Sequence, residues 1–290
     1  MAKATERFAV TPLLRVRRGL VRGAGNIFVW WWVLFSFAIL LWIVVAAFKR
    51  NDTVFQELFA PPRSLNLGNF GDAWDLLNLT RTSLNTLLTV GVGTLVTMAL
   101  AAPAAYALSR IHFRGANALT AFFALGISIP VHSIIIPLFI GLSDTGLSNS
   151  LLGLTLAYVG VSVPFAVFLM TGFFRSLPTE LEEAAAMEGA GPVRIFLSVM
   201  LPLARPGMVA TSIIVAVGLW NEFLLALTLT FDEDKRTLGV GLLNTYGAMR
   251  YTSNWVGLFA AVVIMLVPLM VLYAWMSRRI IEGLTVGATK

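Results

Sequence analysis

Polarity along the chain alternates between long apolar runs and short charged segments. Six apolar stretches, at about 27–48, 84–108, 118–141, 151–173, 208–230 and 255–277, each supply the ~20 residues a helix needs to cross a hydrocarbon core about 30 Å thick. The pattern predicts an all-α integral membrane protein with six transmembrane helices. It divides the chain into a basic tail (1–25), a membrane domain (26–277) containing a long polar loop at 178–207, and a second tail (278–290). The first apolar run has a basic segment before it, as a signal peptide does. Its uncharged stretch from Ile27 to Ala47 is longer than the 7–15 residues of a typical signal core, and it is read as the first span.

Composition agrees with the pattern. The 290 residues are 58% hydrophobic and 12% charged, with two histidines and no cysteine. Disulfides and thiolate metal sites are thereby excluded, and two distant histidines do not suggest a metal site. The net charge of +6 is carried by residues flanking the spans, so it reads as topology rather than nucleic-acid binding. Fourteen basic residues fall in the N-terminal tail, loop 109–117, loop 174–207 and the C-terminal tail; the other side has seven. The positive-inside rule places both termini and loop 178–207 in the cytoplasm.

Shorter patterns predict further elements. Residues 69–77 fit an interfacial helix with Phe70, Trp74 and Leu77 on its buried side. Prolines 103, 130, 137, 164 and 268 lie within spans and predict kinks. In the polar loop, Thr179 with Glu182 fits a capping box that starts a helix of about nine residues at Glu180. Glu180, Glu182 and Glu183 complement the positive end of that helix, and Gly189 suits the left-handed turn that ends it. Leu181, Ala184, Ala185 and Glu188 share a face, where the alanines permit close approach. Pro192 suits the first position of a second helix. Val193, Phe196, Leu197 and Met200 give that helix one apolar face, and Pro202 and Pro206 end it. Two short helices in a projecting loop offer a docking surface as readily as a cover for the bundle.

This loop resembles the cytoplasmic signature of ATP-binding-cassette importer permeases. The pattern is E-A-A, three residues, G, nine residues, I, one residue, L-P. Here it runs Glu183-Ala184-Ala185, Gly189, Val199, Leu201 and Pro202, with valine for isoleucine at 199 and Glu188 where aspartate is usual. Ala105-Tyr106-Ala107-Leu108-Ser109-Arg110, Pro164-Phe165-Ala166, Gly172-Phe173-Phe174 and Trp220-Asn221-Glu222-Phe223 are similar to the carbohydrate-uptake branch. So is the ending Gly283-Leu284-Thr285-Val286-Gly287-Ala288-Thr289-Lys290, except for Thr289.

The resemblance implies the type I ABC importer permease fold and residence in a bacterial or archaeal inner membrane. It implies a second, homologous permease subunit, two ATPase subunits and an extracytoplasmic sugar-binding protein. Glu183, Ala184, Ala185, Glu188, Gly189, Leu201 and Pro202 are then expected to couple to the ATPase, with Gly283, Leu284, Thr285 and Gly287 reaching the same partner. The chain itself is expected to be non-catalytic and without a cofactor, ATP and Mg2+ belonging to the ATPase. Consistent with that, no lysine follows a glycine anywhere, so there is no phosphate loop of the G-x-x-x-x-G-K-[ST] kind.

Within the spans, Glu222 is the one acidic side chain, about fourteen residues into the fifth. A charge at such depth is costly and needs a reason. Asn221 and Glu222 either line the translocation pathway or make a structural bond to a neighbouring helix. His132 reads as a satisfied core histidine, with the pathway as the competing placement, and His112 as solvated. Trp30, Trp31 and Trp32 read as an interfacial anchor. An ion-coupled secondary transporter is the competing function class, though it usually carries several buried ionisable groups. A polyol or glycerol phosphate is the competing cargo.

Overall fold

The computed structural model describes the backbone of residues 12–288, and the side chains of 23–271 and 274 except 248, 250 and 252. Every regular element among the described residues is helical. In chain order they are α1 (Pro12–Ala47), α2 (Gly68–Leu76), α3 (Leu79–Arg110), α4 (Ala116–Ser128), α5 (Val131–Asp144), α6 (Leu151–Ser176), α7 (Glu180–Met187), α8 (Pro192–Ile195), a π-helical turn (Phe196–Met200), α9 (Leu201–Leu203), α10 (Arg205–Trp220), α11 (Leu224–Leu229), a 3-10 turn (Glu233–Lys235), α12 (Leu238–Thr252) and α13 (Trp255–Ala288).

The bundle is organised on α3 and α6, which run alongside each other and carry the main core. Ala101 and Ala105 of α3 and Ala157 and Ala166 of α6 are buried there. Within a membrane, small residues let helices approach closely where hydrophobicity alone gives no drive to associate. Two threonines of α3 are accommodated by bonding backwards: Thr86 and Thr89 donate to the carbonyls of Thr82 and Asn85 at 2.9 and 2.8 Å. A second cluster joins Ala47, Ala73, Leu77, Leu238, Ala260 and Ala261 at the other end of the bundle. The Gly23–Ala47 segment of α1 is apolar and exposed along most of its length, with Trp30 66% exposed, and its end packs against α13. Its tryptophans therefore face the surroundings, as an anchor requires.

Among the described residues, three helical segments are long and apolar enough to cross a membrane unbroken: Gly23–Ala47, Leu79–Arg110 and Leu151–Ser176. The expected span at 118–141 is instead two helices, α4 and α5, meeting at 101°. The bend falls at Ile129-Pro130, where the ring of Pro130 pushes Ile129 into extended backbone (φ −79°, ψ 118°). α3, α5, α6 and α13 run through Pro103, Pro137, Pro164 and Pro268 without interruption, so of the five span prolines only Pro130 marks a break. The expected span at 208–230 is likewise α10 and α11, separated at Asn221–Phe223.

The 69–77 helix exists as α2, but with a different buried face. Asn69, Ala73 and Leu77 point inward, and Trp74 is exposed. Asn69 decides this: its side-chain amide donates to the carbonyls of Ala47 (2.8 Å) and Lys49 (2.9 Å), tying α2 to the end of α1. A polar residue buried to satisfy a helix terminus outranks the aromatic stripe that periodicity favoured.

Side-chain clasps hold the connections at that same end. The carbonyl oxygen of Asn51 accepts from the amides of Trp255 and Val256 and so caps α13. Asn85 donates to the carbonyls of Asp234 and Arg236, both at 2.9 Å. Asn149, in left-handed backbone (φ 51°), accepts from the amides of Phe231 and Asp232.

Candidate functional site

Loop 178–207 forms two short helical pieces fixed against the ends of α3 and α6. α7 begins at Glu180 as expected, but Thr179 does not cap it: its backbone is already helical (φ −74°, ψ −27°), and no side-chain bond forms. The three early glutamates are present, in the positive first turn. The far end follows the expectation. Gly189 adopts φ 83°, its amide donates to Ala186, and the amide of Ala190 reaches back to Ala185. That pair of bonds is a Schellman closure, satisfying carbonyls that α7 would otherwise leave bare.

The second piece departs from a uniform helix. Pro192 starts α8 as expected. From Phe196 the helix widens to a π turn, and the amide of Leu201 bonds to the carbonyl of Phe196, five residues back. The widened turn suits Pro202, which has no amide to return to Ser198. Pro202 therefore sits inside the helical run, which stops after Leu203. Of the expected stripe, Met200 is buried and Phe196 packs beside it, whereas Val193 and Leu197 are exposed and Ile195 takes their place in the core.

What pins this loop to the bundle is Arg110, the last residue of α3. Its side chain is 8% exposed and its Nε lies 3.2 Å from a carboxylate oxygen of Glu182. The same guanidinium donates to the carbonyl of Phe174 at 2.7 Å and to that of Leu177, capping the end of α6. One planar cation thus ties α3, α6 and α7 together, which a lysine's single ammonium does not match. Around it, the rings of Tyr106, Phe174 and Phe196 meet with centroids 5.0–6.4 Å apart. Arg110 was visible in the sequence only as part of a similar motif. Its signal was a lone arginine closing an apolar helix, which also reads as simple topology.

The expected coupling residues are thereby sorted by orientation. Ala185 and Val199 pack towards the core, and Leu201 is half-buried. Glu183, Ala184, Glu188, Gly189 and Pro202 are exposed, together with Leu181 and with Met187 at 89%. α7 therefore presents an exposed surface that mixes carboxylates with apolar side chains. The α13 backbone is helical through Ala288, while the side chains of Gly283, Leu284, Thr285 and Gly287 lie outside the described residues, as do Thr289 and Lys290 altogether.

Asn221 and Glu222 occupy the break between α10 and α11. The two oxygens of Glu222 accept from the amides of Leu225 (2.8 Å) and Ala226 (3.2 Å). The carboxylate caps the restarted helix and faces its positive end. Buried Tyr158 of α6 interacts with the same group. The side-chain amide of Asn221, which is exposed, donates to the carbonyl of Val217 at 2.8 Å. The charge at depth is engaged from two sides, by the amides of its own segment and by the side chain of Tyr158 on the neighbouring α6. His132 is exposed in the first turn of α5, beside the Pro130 bend, and is not a core histidine. His112 is exposed as expected.

Residues 93–285 match the model of the binding-protein-dependent transport system inner membrane component family. The chain belongs to this family. Its matched region runs from mid-α3 to the C-terminal tail and includes the whole of loop 178–207. A diacetylchitobiose uptake system permease from Streptomyces coelicolor is 36% identical, over 88% of this chain and 85% of that protein. A trehalose/maltose transport system permease from Thermococcus litoralis is 31% identical, over 86% and 90%. The fold is that of a solved bacterial ABC transporter involved in import of the polysaccharide alginate, with TM-score 0.78 and 23% identity over 90% of this chain and 97% of that one. The family architecture of a multi-pass inner-membrane transport subunit is therefore this chain's own.

Proposed function

We propose that this permease forms half of the translocation pathway of a carbohydrate importer and converts ATPase closure into movement of its helices. The observation that carries the reading is the fixed geometry of loop 178–207. Its inner side is locked to α3 and α6 by Arg110 and the aromatic group, while its outer side leaves Glu183, Ala184, Met187 and Glu188 uncovered. A force applied to α7 by a docked ATPase passes into two spans without loss in a flexible hinge. ATP and Mg2+ belong to that ATPase, and Gly283, Leu284, Thr285 and Gly287 extend towards it.

The full assembly is a second, homologous permease, two ATPases and an extracytoplasmic binding protein. Six crossings, with α4–α5 and α10–α11 each counted as one, would leave both termini and loop 178–207 on one side, and the excess of basic residues there supports the cytoplasm as that side. The domain limits are those of the tails at 1–25 and 278–290. The saccharides named for the similar permeases support a di- or oligosaccharide as cargo. Because Glu222 is engaged in capping α11, it is not a free carboxylate for ion coupling, which favours an ATP-driven system.

The test is uptake by vesicles containing the whole assembly, fed a labelled disaccharide with its binding protein. Transport is expected to stop on ATP depletion with ion gradients held, and the ATPase is expected to co-purify with the permease. Uptake that persists without ATP, or purification free of any ATPase, rejects the reading.

A further inference from the structure

Two cavities adjoin at the end of the bundle where loop 178–207 emerges. The first, about 450 Å³, lies between α3, α4, α6 and α10 and is walled by apolar groups such as Leu108, Phe123, Val167 and Ile214. The second, about 590 Å³, is formed by loop 109–117 and the end of α6, with Arg110, His112, Arg114 and Arg175 in its lining. Leu108 and Arg175 line both. Among the described residues, no carboxylate lines either one. Arg110 is committed to Glu182 and the α6 carbonyls. Arg114 and Arg175 make no hydrogen bond or ion pair among the described residues.

A mostly apolar chamber next to two uncommitted guanidiniums has the chemistry of an amphiphile in negative relief. Thr120, Thr171 and Thr211 offer hydroxyls on its walls, too few for a sugar, which would leave most of its own unpaired, and a nucleotide would bring no hydrocarbon to fill it. Arginine forks match phosphate geometry, and basic pockets between helices on the cytoplasmic side suit anionic headgroups. We propose that the paired cavities hold one anionic phospholipid, its phosphate on Arg114 and Arg175 and an acyl chain in the apolar chamber. The placement rests on the orientation proposed above, which puts loop 109–117 at the inner leaflet.

The test is native mass spectrometry of the complete, delipidated transporter titrated with phosphatidylglycerol or phosphatidylcholine. Wild type is expected to retain one phosphatidylglycerol over phosphatidylcholine by about tenfold or more. Arg114→Gln with Arg175→Gln should abolish that preference. Gly172→Leu should lower retention of phosphatidylglycerol with both arginines intact. Gly172 lines the apolar chamber and a Cβ there meets nothing within 4 Å, so the wall accepts the first atom of a side chain. Equal retention of the two lipids, or a preference unchanged in the double variant, overturns the proposal. Displacement of the lipid by an equal concentration of inorganic phosphate identifies a free-anion site and overturns the lipid assignment. The orientation is checked separately by Arg114→Cys, the only thiol in an otherwise cysteine-free chain. Labelling by an impermeant maleimide from outside whole cells rejects the orientation, while lipid preference is read independently of it.

Discussion

Arg110→Ala is the sharpest perturbation of the loop's attachment. It removes a cation whose side chain is 8% exposed from a carboxylate whose side chain is 19% exposed. It also strips donors from the carbonyls of Phe174 and Leu177. Deleting one member of a buried ion pair costs about 3–5 kcal/mol. Partial solvation of Glu182 points to the low end, about 3 kcal/mol. At about 1.4 kcal/mol per tenfold, local opening of α7 should become roughly 150 times more populated. Hydrogen exchange measured by mass spectrometry reads this directly, because amides of a locally opening segment exchange in proportion to that population. Peptides covering 180–190 should exchange about two orders of magnitude faster, while peptides within 151–170 of α6 keep their wild-type rates. Arg110→Lys should give an intermediate result, since it retains the charge but not the fork. In a double-mutant cycle with Glu182→Ala, the pair should show a coupling above about 1 kcal/mol. If the loop peptides of Arg110→Ala exchange within about threefold of wild type, the anchoring argument is wrong.

Other expectations follow from single contacts. Gly189→Val places a β-branched residue at φ 83°, where even a simple side chain costs about 1–2 kcal/mol; uptake and ATPase co-purification should both fall, and unchanged values refute the role of the turn. Gly207→Ala puts a methyl inside the van der Waals surface of the Phe173 ring, an overpacking cost of about 1–3 kcal/mol. The thermal midpoint of the complex should drop, and Phe173→Leu in the same chain should restore part of it. Glu222→Ala should destabilise the complex more than Glu222→Gln, which keeps one acceptor for the α11 amides; if the substrate KM moves but stability does not, Glu222 serves the pathway instead. Asp232 has its carboxyl held below the ordinary carboxylate range by its bonds to Lys235 and Asn149. A depressed folded value means the contribution is present above about pH 4 and is lost as pH falls through the lowered value. Protection of residues 231–236, taken as the intrinsic exchange rate at each pH divided by the observed rate, should therefore fall on acidification, and Asp232→Asn should remove that pH dependence.

Much of this protein is legible along one dimension. The apolar runs at 27–48, 84–108 and 151–173 read as membrane-embedded helices, because a helix satisfies its backbone groups within hydrocarbon, and the structure has unbroken helices there at Gly23–Ala47, Leu79–Arg110 and Leu151–Ser176. Gly189 had to end α7 and Pro192 had to begin α8, because each supplies a backbone geometry that its neighbours do not. Periodicity failed where a polar contact or a proline overrode it. Asn69 turned α2 to reach the end of α1, and in the loop's second helix Ile195 joined Phe196 and Met200 in the packed face while Val193 and Leu197 stayed exposed. Glu222 carried too few clues to separate pathway from cap, since the amides it bonds exist only once α10 has broken.

Sequence alone determined that this is a helical membrane subunit with an exposed, acidic, alanine-rich loop, because local backbone satisfaction and hydrophobic length are properties of consecutive residues. Only tertiary structure decided that Arg110 is the pin of that loop. The groups it joins lie 64 to 72 positions away and come together only when α3 and α6 pack.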